Sequence, residues 1–229
     1  MRLTFLLLAV SLTTSCIHAQ DNTNTTDKEA AYTKTINSRA DKIVATLNIS
    51  DPQKANRVKT LIANHYRNLN TVYTVRDEQI KSAKAAFTTN KDVLAAKTKE
   101  IEEATSKNIR SVHNDFIKKL SAELSEDQIV KVKDGLTYGV LPLTYKAYLD
   151  MLPKLTAEQK EQIMKWLVEA REYAMDAESS DKKHWWFGKY KGRINNYLSA
   201  AGYNMKKEGE EWQKRIKERE ASKNGTKTN

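Results

Sequence analysis

The residues best equipped for chemistry sit together between Lys182 and Arg193, where twelve positions hold four aromatic rings, one histidine, two glycines and five cations. Trp185, Trp186 or Tyr190 would offer a flat face to a pyranose ring, and Lys183, Lys189 and Arg193, with Lys191, would pair with uronate carboxylates or other anions. His184 lies between the rings and the charges. Lys183, His184, Trp185, Trp186, Lys189, Tyr190 and Arg193 are therefore the candidate ligand-binding residues. Gly188 and Gly192 would let a ligand or another helix come close to the backbone. A structural alternative competes with this one: the rings plug the end of a bundle, each burying about 150–250 Å², while the lysines reach outward. Trp185 and Trp186 are adjacent and cannot both point the same way, so one of them belongs to the core.

Elsewhere the sequence offers less. His65, His113 and His184 are far apart, with no His-x-x-x-His or Glu-x-x-His pairing, so no metal and no cofactor is expected. Glycoside hydrolysis would need two carboxyl groups facing each other across a cleft. Glu169, Glu172 and Asp176 have suitable spacing along one helix, and Asp134 and Asp181 flank segments that read as irregular. Charged helix faces look like this routinely, so no catalytic residue is assigned. There is no Gly-x-Ser-x-Gly, phosphate loop or dinucleotide fingerprint.

Helices must position these groups, because no stretch alternates apolar and polar residues as a strand would. Helical spacing predicts a first helix over 27–47, a second over 51–87 and a third over 91–120, with 88–90 as the break. His65 falls on the apolar face of the second. The pattern of an aliphatic residue, Ser or Thr, two residues and Gln occurs at Ile49, Leu124 and Leu155, and reads as a capping box opening a helix each time. All seven glycines and two of the three prolines lie from Gly135 onward. Residues 134–142 accordingly read as an irregular connection, followed by a short helix over 145–152, a helix from Thr156, and a break at 178–181 before the aromatic stretch. A solvated helix to about Glu220 and a frayed tail complete the chain. The fold class is all-α: an elongated bundle with two long helices in its N-terminal half and a more irregular C-terminal half, forming one domain over 28–203.

Arg2 followed by the apolar run from Leu3 to Leu12 reads as a signal peptide of residues 1–19, too short to cross a bilayer, with a flexible lead over 20–27. Cleavage after Ala19 would remove Cys16, the single cysteine, and with it any disulfide or thiolate chemistry. Cleavage before Cys16 would instead give a lipid anchor. The net charge is +10 among 229 residues; export turns that away from nucleic acid and toward anionic surfaces or acidic polysaccharide.

The repeated Leu-Ser/Thr-x-x-Gln at Leu124 and Leu155 resembles the motif of the small periplasmic Spy and CpxP stress chaperones. Over residues 40–204 the chain also resembles a family of secreted Bacteroidetes proteins of unknown function. That likeness is carried by the stretches VKDGLTYGVLPLTYKAYLDMLPKLTAEQK and EAREYAMDAESSDKKHWWFGKYKGRINNYLSAAGYN and by the Ala19-Gln20 signal-peptide end. It implies a setting beside polysaccharide-degradation systems and a sugar-binding role, and it brings no catalytic residues with it. The leading expectation is an exported, non-enzymatic protein that binds acidic polysaccharide fragments. The alternatives are a chaperone for unfolded protein clients and a polysaccharide-active enzyme, which would need paired carboxylates beside the rings.

Overall fold

Short polar side chains at the helix starts fix the architecture. In the computed structural model, which describes the backbone of residues 19–225 and the side chains of residues 27–222, eight helices follow one another with no strand between them. They are α1 (Ala19–Val44), α2 (Pro52–Ala86), α3 (Lys91–Ser121), α4 (Glu126–Leu136), α5 (Val140–Met151), α6 (Ala157–Met175), α7 (Ser180–Ala200) and α8 (Met205–Gly225). The apolar leader and Cys16 lie outside the described residues. Residues 20–27, expected as a flexible lead, form the first turns of α1; their Asn- and Thr-rich run contains no proline or glycine to break a helix.

Two of the three expected capping boxes form. Ser125 Oγ accepts from Gln128 N at 3.4 Å while Gln128 Oε1 accepts from Ser125 N, and Thr156 and Gln159 do the same at the start of α6. The third does not. Asp51, not Ser50, caps α2, accepting from Gln53 N at 2.8 Å. A carboxylate is the stronger acceptor for a helix N-terminus, and starting one residue later puts Pro52 where its missing N–H costs nothing.

The C-terminal half is more regular than its glycines and prolines suggest. Only Thr137, Tyr138 and Gly139 separate α4 from α5, and Pro142 lies inside the first turn of α5. Gly139 N donates to Asp134 O and Tyr138 N to Gly135 O, the paired bonds that close a helix through a left-handed residue. That residue is Tyr138, at φ 59°, a conformation glycine would adopt more cheaply. The aromatic stretch is likewise plain helix. Phe187, Tyr190, Ile194 and Leu198 are buried along one face of α7, a 3.6-residue periodicity that outweighs the cost of Gly188 and Gly192 at about 1 kcal/mol each. A Cβ at either glycine would meet nothing within 4 Å, so neither serves close approach.

Two apolar clusters result. The first joins Ile43, Leu47, Val58, Ile62, Phe116, Leu120, Val132 and Leu136 from α1 to α4 and the loop after α1. The second joins Leu141, Tyr148, Leu152, Ile163, Leu167, Phe187, Tyr190, Ile194 and Leu198 from α5 to α7. Helix α6 belongs to both: Ala170 and Ala174 pack in the second cluster and Met175 in the first. The end of α6 is thus the joint of the molecule. Among the described residues, no helix is long and apolar enough to cross a membrane.

Candidate functional site

At that joint the chain buries charge. Asp176 follows the last turn of α6 and is only 6% exposed. His65 Nε2 of α2 lies 3.0 Å from Oδ1 of Asp176, and His113 Nδ1 of α3 lies 2.7 Å from Oδ2. The carboxylate can only accept, so each of these nitrogens carries the proton. His65 stacks on Phe116 at 3.9 Å, and its Nδ1 has no hydrogen-bond partner among the described residues. A lone pair is the cheaper group to leave facing an apolar wall. Tyr73 adds a hydrogen bond from its hydroxyl to the Asp176 carbonyl at 2.9 Å.

Burial pushes the Asp176 carboxyl toward its protonated form, but the hydrogen bonds from His113 and His65 outweigh it and hold the group below the usual carboxylate range. The hydrogen bond to Asp176 raises His113 above the ordinary imidazole value, against partial burial, with the negative charges of Asp176 and Glu172 adding to the rise. Around this centre lies a second layer. Lys133 Nζ reaches Glu172 Oε2 at 2.7 Å, and the buried Arg171 contacts Asp134 at 2.9 Å and Glu172 at 3.4 Å. Here α4 is tied to α6. With His113 protonated, three cations face three carboxylates and the cluster is balanced.

The cluster opens to solvent through a cleft of about 500 Å³ lined by Tyr73, Ser106, Arg110, His113, Glu172, Tyr173, Asp176 and Trp186. Ser106, Arg110 and His113 come from one face of α3, at offsets of four and seven residues. Trp186 stacks on Tyr173 with ring centroids 4.5 Å apart and planes inclined by 15°. The volume falls in the range of small-molecule sites. Among the described residues Arg110 has no hydrogen-bond or ion-pair partner, so its exposed guanidinium is the unmatched charge of the cleft.

The seven sequence candidates scatter around this cleft. Trp186 forms its wall. Trp185, 53% exposed, packs edge-on against Trp186, and Lys189 Nζ lies over both indoles at 5.6 and 5.0 Å. Arg193 turns away, stacking over Trp166 at 4.6 Å beside Glu169. His184 stacks on Tyr138 and does not line the cleft. Lys183 and Tyr190 are buried. Lys183 Nζ donates to the carbonyls of Ala174 and Met175 at 3.0 and 2.8 Å, closing the C-terminus of α6, and loss of solvent pulls it down to about 8. Burial, then the neighbouring Glu169, keeps the Tyr190 phenol protonated well above its ordinary range. Neither side chain lines this cleft.

The residues at the centre, His65, His113 and Asp176, are none of the seven candidates. His65 and His113 share a carboxylate although 111 and 63 residues separate them from it. The usable signal was His65 itself: a polar ring on an otherwise apolar helix face demands a buried partner. Among the described residues, no three His, Cys, Asp or Glu side chains are grouped to hold a metal ion.

Fold and cleft together define an all-helical protein with a charged, aromatic-walled recess between two packed halves. The chain belongs to the family described as "Protein of unknown function (DUF3826)", which matches residues 33–218 and so takes in α2 to α7 in full, the later turns of α1 and most of α8. No curated protein matches the chain.

Proposed function

We propose that the protein binds acidic carbohydrate in the cleft between α3 and the α6–α7 pair. One observation carries the reading: a stacked Trp186–Tyr173 wall shares its recess with Arg110, a cation that no carboxylate among the described residues claims. Stacked rings suit the apolar face of a pyranose, and a free guanidinium suits a uronate carboxylate bidentately. Lys189, held over both indoles, adds positive charge at the rim. An exported setting, expected from the leader sequence, is where such polymers are met.

Calorimetric titration with oligogalacturonate and with neutral oligosaccharides tests it. Uronate oligomers bind, neutral ones bind at least tenfold more weakly, and Trp186→Ala removes binding while Arg193→Ala leaves it intact. No binding across a broad uronate panel, or binding indifferent to Trp186→Ala, removes the proposal.

The chaperone reading has one observation in its favour, a groove of about 690 Å³ between α2 and α3 lined by Val75, Ala83, Phe87 and Ile101. Glu78 and Glu100 in its walls set it apart from a basic cradle. Absence of any effect on the aggregation of a denatured client at equimolar protein discards it.

A further inference from the structure

The cleft also contains the parts of a proton-transfer site, and its carboxylates restrict the chemistry. Hydrolysis by a carboxyl pair needs one member protonated as the acid and the other free as base or nucleophile. Both oxygens of Glu172 are engaged, Oε2 by Lys133 at 2.7 Å and Oε1 by Arg171 at 3.4 Å. Both oxygens of Asp176 are taken by imidazoles. Neither can do that work. One reactive lone pair remains: with the proton fixed on Nδ1 by Asp176, His113 presents an unprotonated Nε2 when the ring is neutral. That nitrogen makes no hydrogen bond among the described residues and lies 3.9 Å from Glu172 Oε2. Asp176 is itself anchored by His65 and Tyr73, so the ring is held from behind.

We infer that His113 is the base of a β-elimination that cleaves uronate-containing chains seated against Trp186 and Tyr173, with Arg110 neutralising the uronate carboxylate. This rests on the binding reading above. Nε2 takes the proton from C5 of the uronate. The electron pair of that C–H bond becomes the C4=C5 double bond as the C4–O4 bond breaks, and O4 leaves with its pair and receives a proton from the imidazolium or from water. The products are one chain with an unsaturated uronate at its new end and one with a free hydroxyl; no water is consumed and no oxidant is needed. Arg110 lies one turn from His113 on the same face of α3, so the carboxylate it holds is the one adjacent to the carbon losing the proton. Charge withdrawn there makes that proton more acidic. Asp176 is a positioning residue, and His65 positions Asp176.

The base form of His113 is required. The charged groups acting on the ring are Asp176 just after α6, Glu172 within it and Lys133 from α4, while His65 from α2 shares Asp176 and Arg110 lines the same cleft one turn back on α3. The Asp176 hydrogen bond and the nearby carboxylates favour the protonated ring, so the rate rises with pH through a limb displaced above the ordinary imidazole range.

The full chain is incubated with polygalacturonate and with alginate while ultraviolet absorbance of the conjugated uronate end is followed, and products are weighed by mass spectrometry. The expected result is unsaturated product from one or both polymers, reduced about 10²–10⁴-fold by His113→Gln with calorimetric affinity changed less than about threefold and the helical circular dichroism unchanged. Arg110→Gln, at an exposed position without a structural partner, lowers the rate with the fold intact. Asp176→Asn shifts the pH limb downward, an effect that a purely structural role would not produce. Binding without unsaturated product, product of hydrolytic mass, or a rate untouched by His113→Gln overturns the inference and leaves the binding proposal standing. Absence of binding overturns both.

Discussion

The two halves of the molecule are packed from different materials. Buried residues of the first cluster are aliphatic apart from Phe116 and Met175, with Tyr66 its one aromatic edge, whereas the second buries Tyr148, Phe187 and Tyr190 and is edged by Trp166, Trp186, Tyr197 and Tyr203. Aliphatic side chains end inside a core. Aromatic ones are long enough to begin in the core and finish at the surface, and that is how Trp186 serves the packing of α7 and the wall of a cleft at once. The lesson is that the site arises where an aromatic-edged half meets an aliphatic half, and that the seam is polar because helix α6 ends there.

The sharpest way to break the comparison is to cut that seam. Asp176→Ala strands two imidazoles and should cost about 3–5 kcal/mol in urea unfolding, the range for removing one partner of a buried charged pair. All four tryptophans, Trp166, Trp185, Trp186 and Trp212, lie in the second half. Their fluorescence therefore reports that half while far-ultraviolet circular dichroism reports both. The variant's two transitions should separate; coincident, unshifted midpoints would mean that the seam does not couple the halves.

Lys183 tests the same region by pH. Its folded value of about 8 lies below the ordinary 10.5, so between those values the unfolded chain binds more protons and this group's contribution to stability grows as pH rises. Wild type should gain on Lys183→Met by about 1.4 kcal/mol per pH unit in that window, measured as the difference in unfolding free energy. A flat difference from pH 8 to 10.5 would place the ammonium in water. Within the aliphatic half, a Cβ at Gly135 would meet Ile43 Cγ1 at 2.7 Å. Gly135→Ala should accordingly cost about 1–3 kcal/mol through overpacking of α4 on α1. The counterpart in the aromatic half is Gly192, exposed and helical with open space around it. Gly192→Ala should stabilise by about 0.5–1 kcal/mol, read as a rise in melting temperature, and a loss there would reveal a neighbour to that face of α7.

What could be read from the sequence was what depends on short range. Helix starts at Ser125 and Thr156 follow from a hydroxyl and a glutamine three residues apart, and the break at 88–90 from the pause in a 3.6-residue stripe. Glycine misled in both directions. Gly188 and Gly192 suggested close approach to the backbone where a Cβ would meet only open space, and Gly135 and Gly139 suggested a long connection where a three-residue turn suffices. The site was half visible. The paired rings and nearby cations drew attention to Trp186, but adjacency in sequence pooled residues that a helix sends to different faces, so Lys183 and Tyr190 went inward and His184 and Arg193 sideways. His113 and Asp176 share no local spacing rule, because only the packing of α3 against the end of α6 brings them together.

The α2–α3 hairpin has a consequence of its own. Along α2 the buried positions run from Val58 to Leu69 and then lapse until Ala83. Past Tyr73 and Arg76, which reach Asp176 and Glu178 after the end of α6, the two rods have little but each other. Amide hydrogens in those outer turns should exchange with solvent through small local openings, many times faster than the same helices do near Ile62 and Phe116.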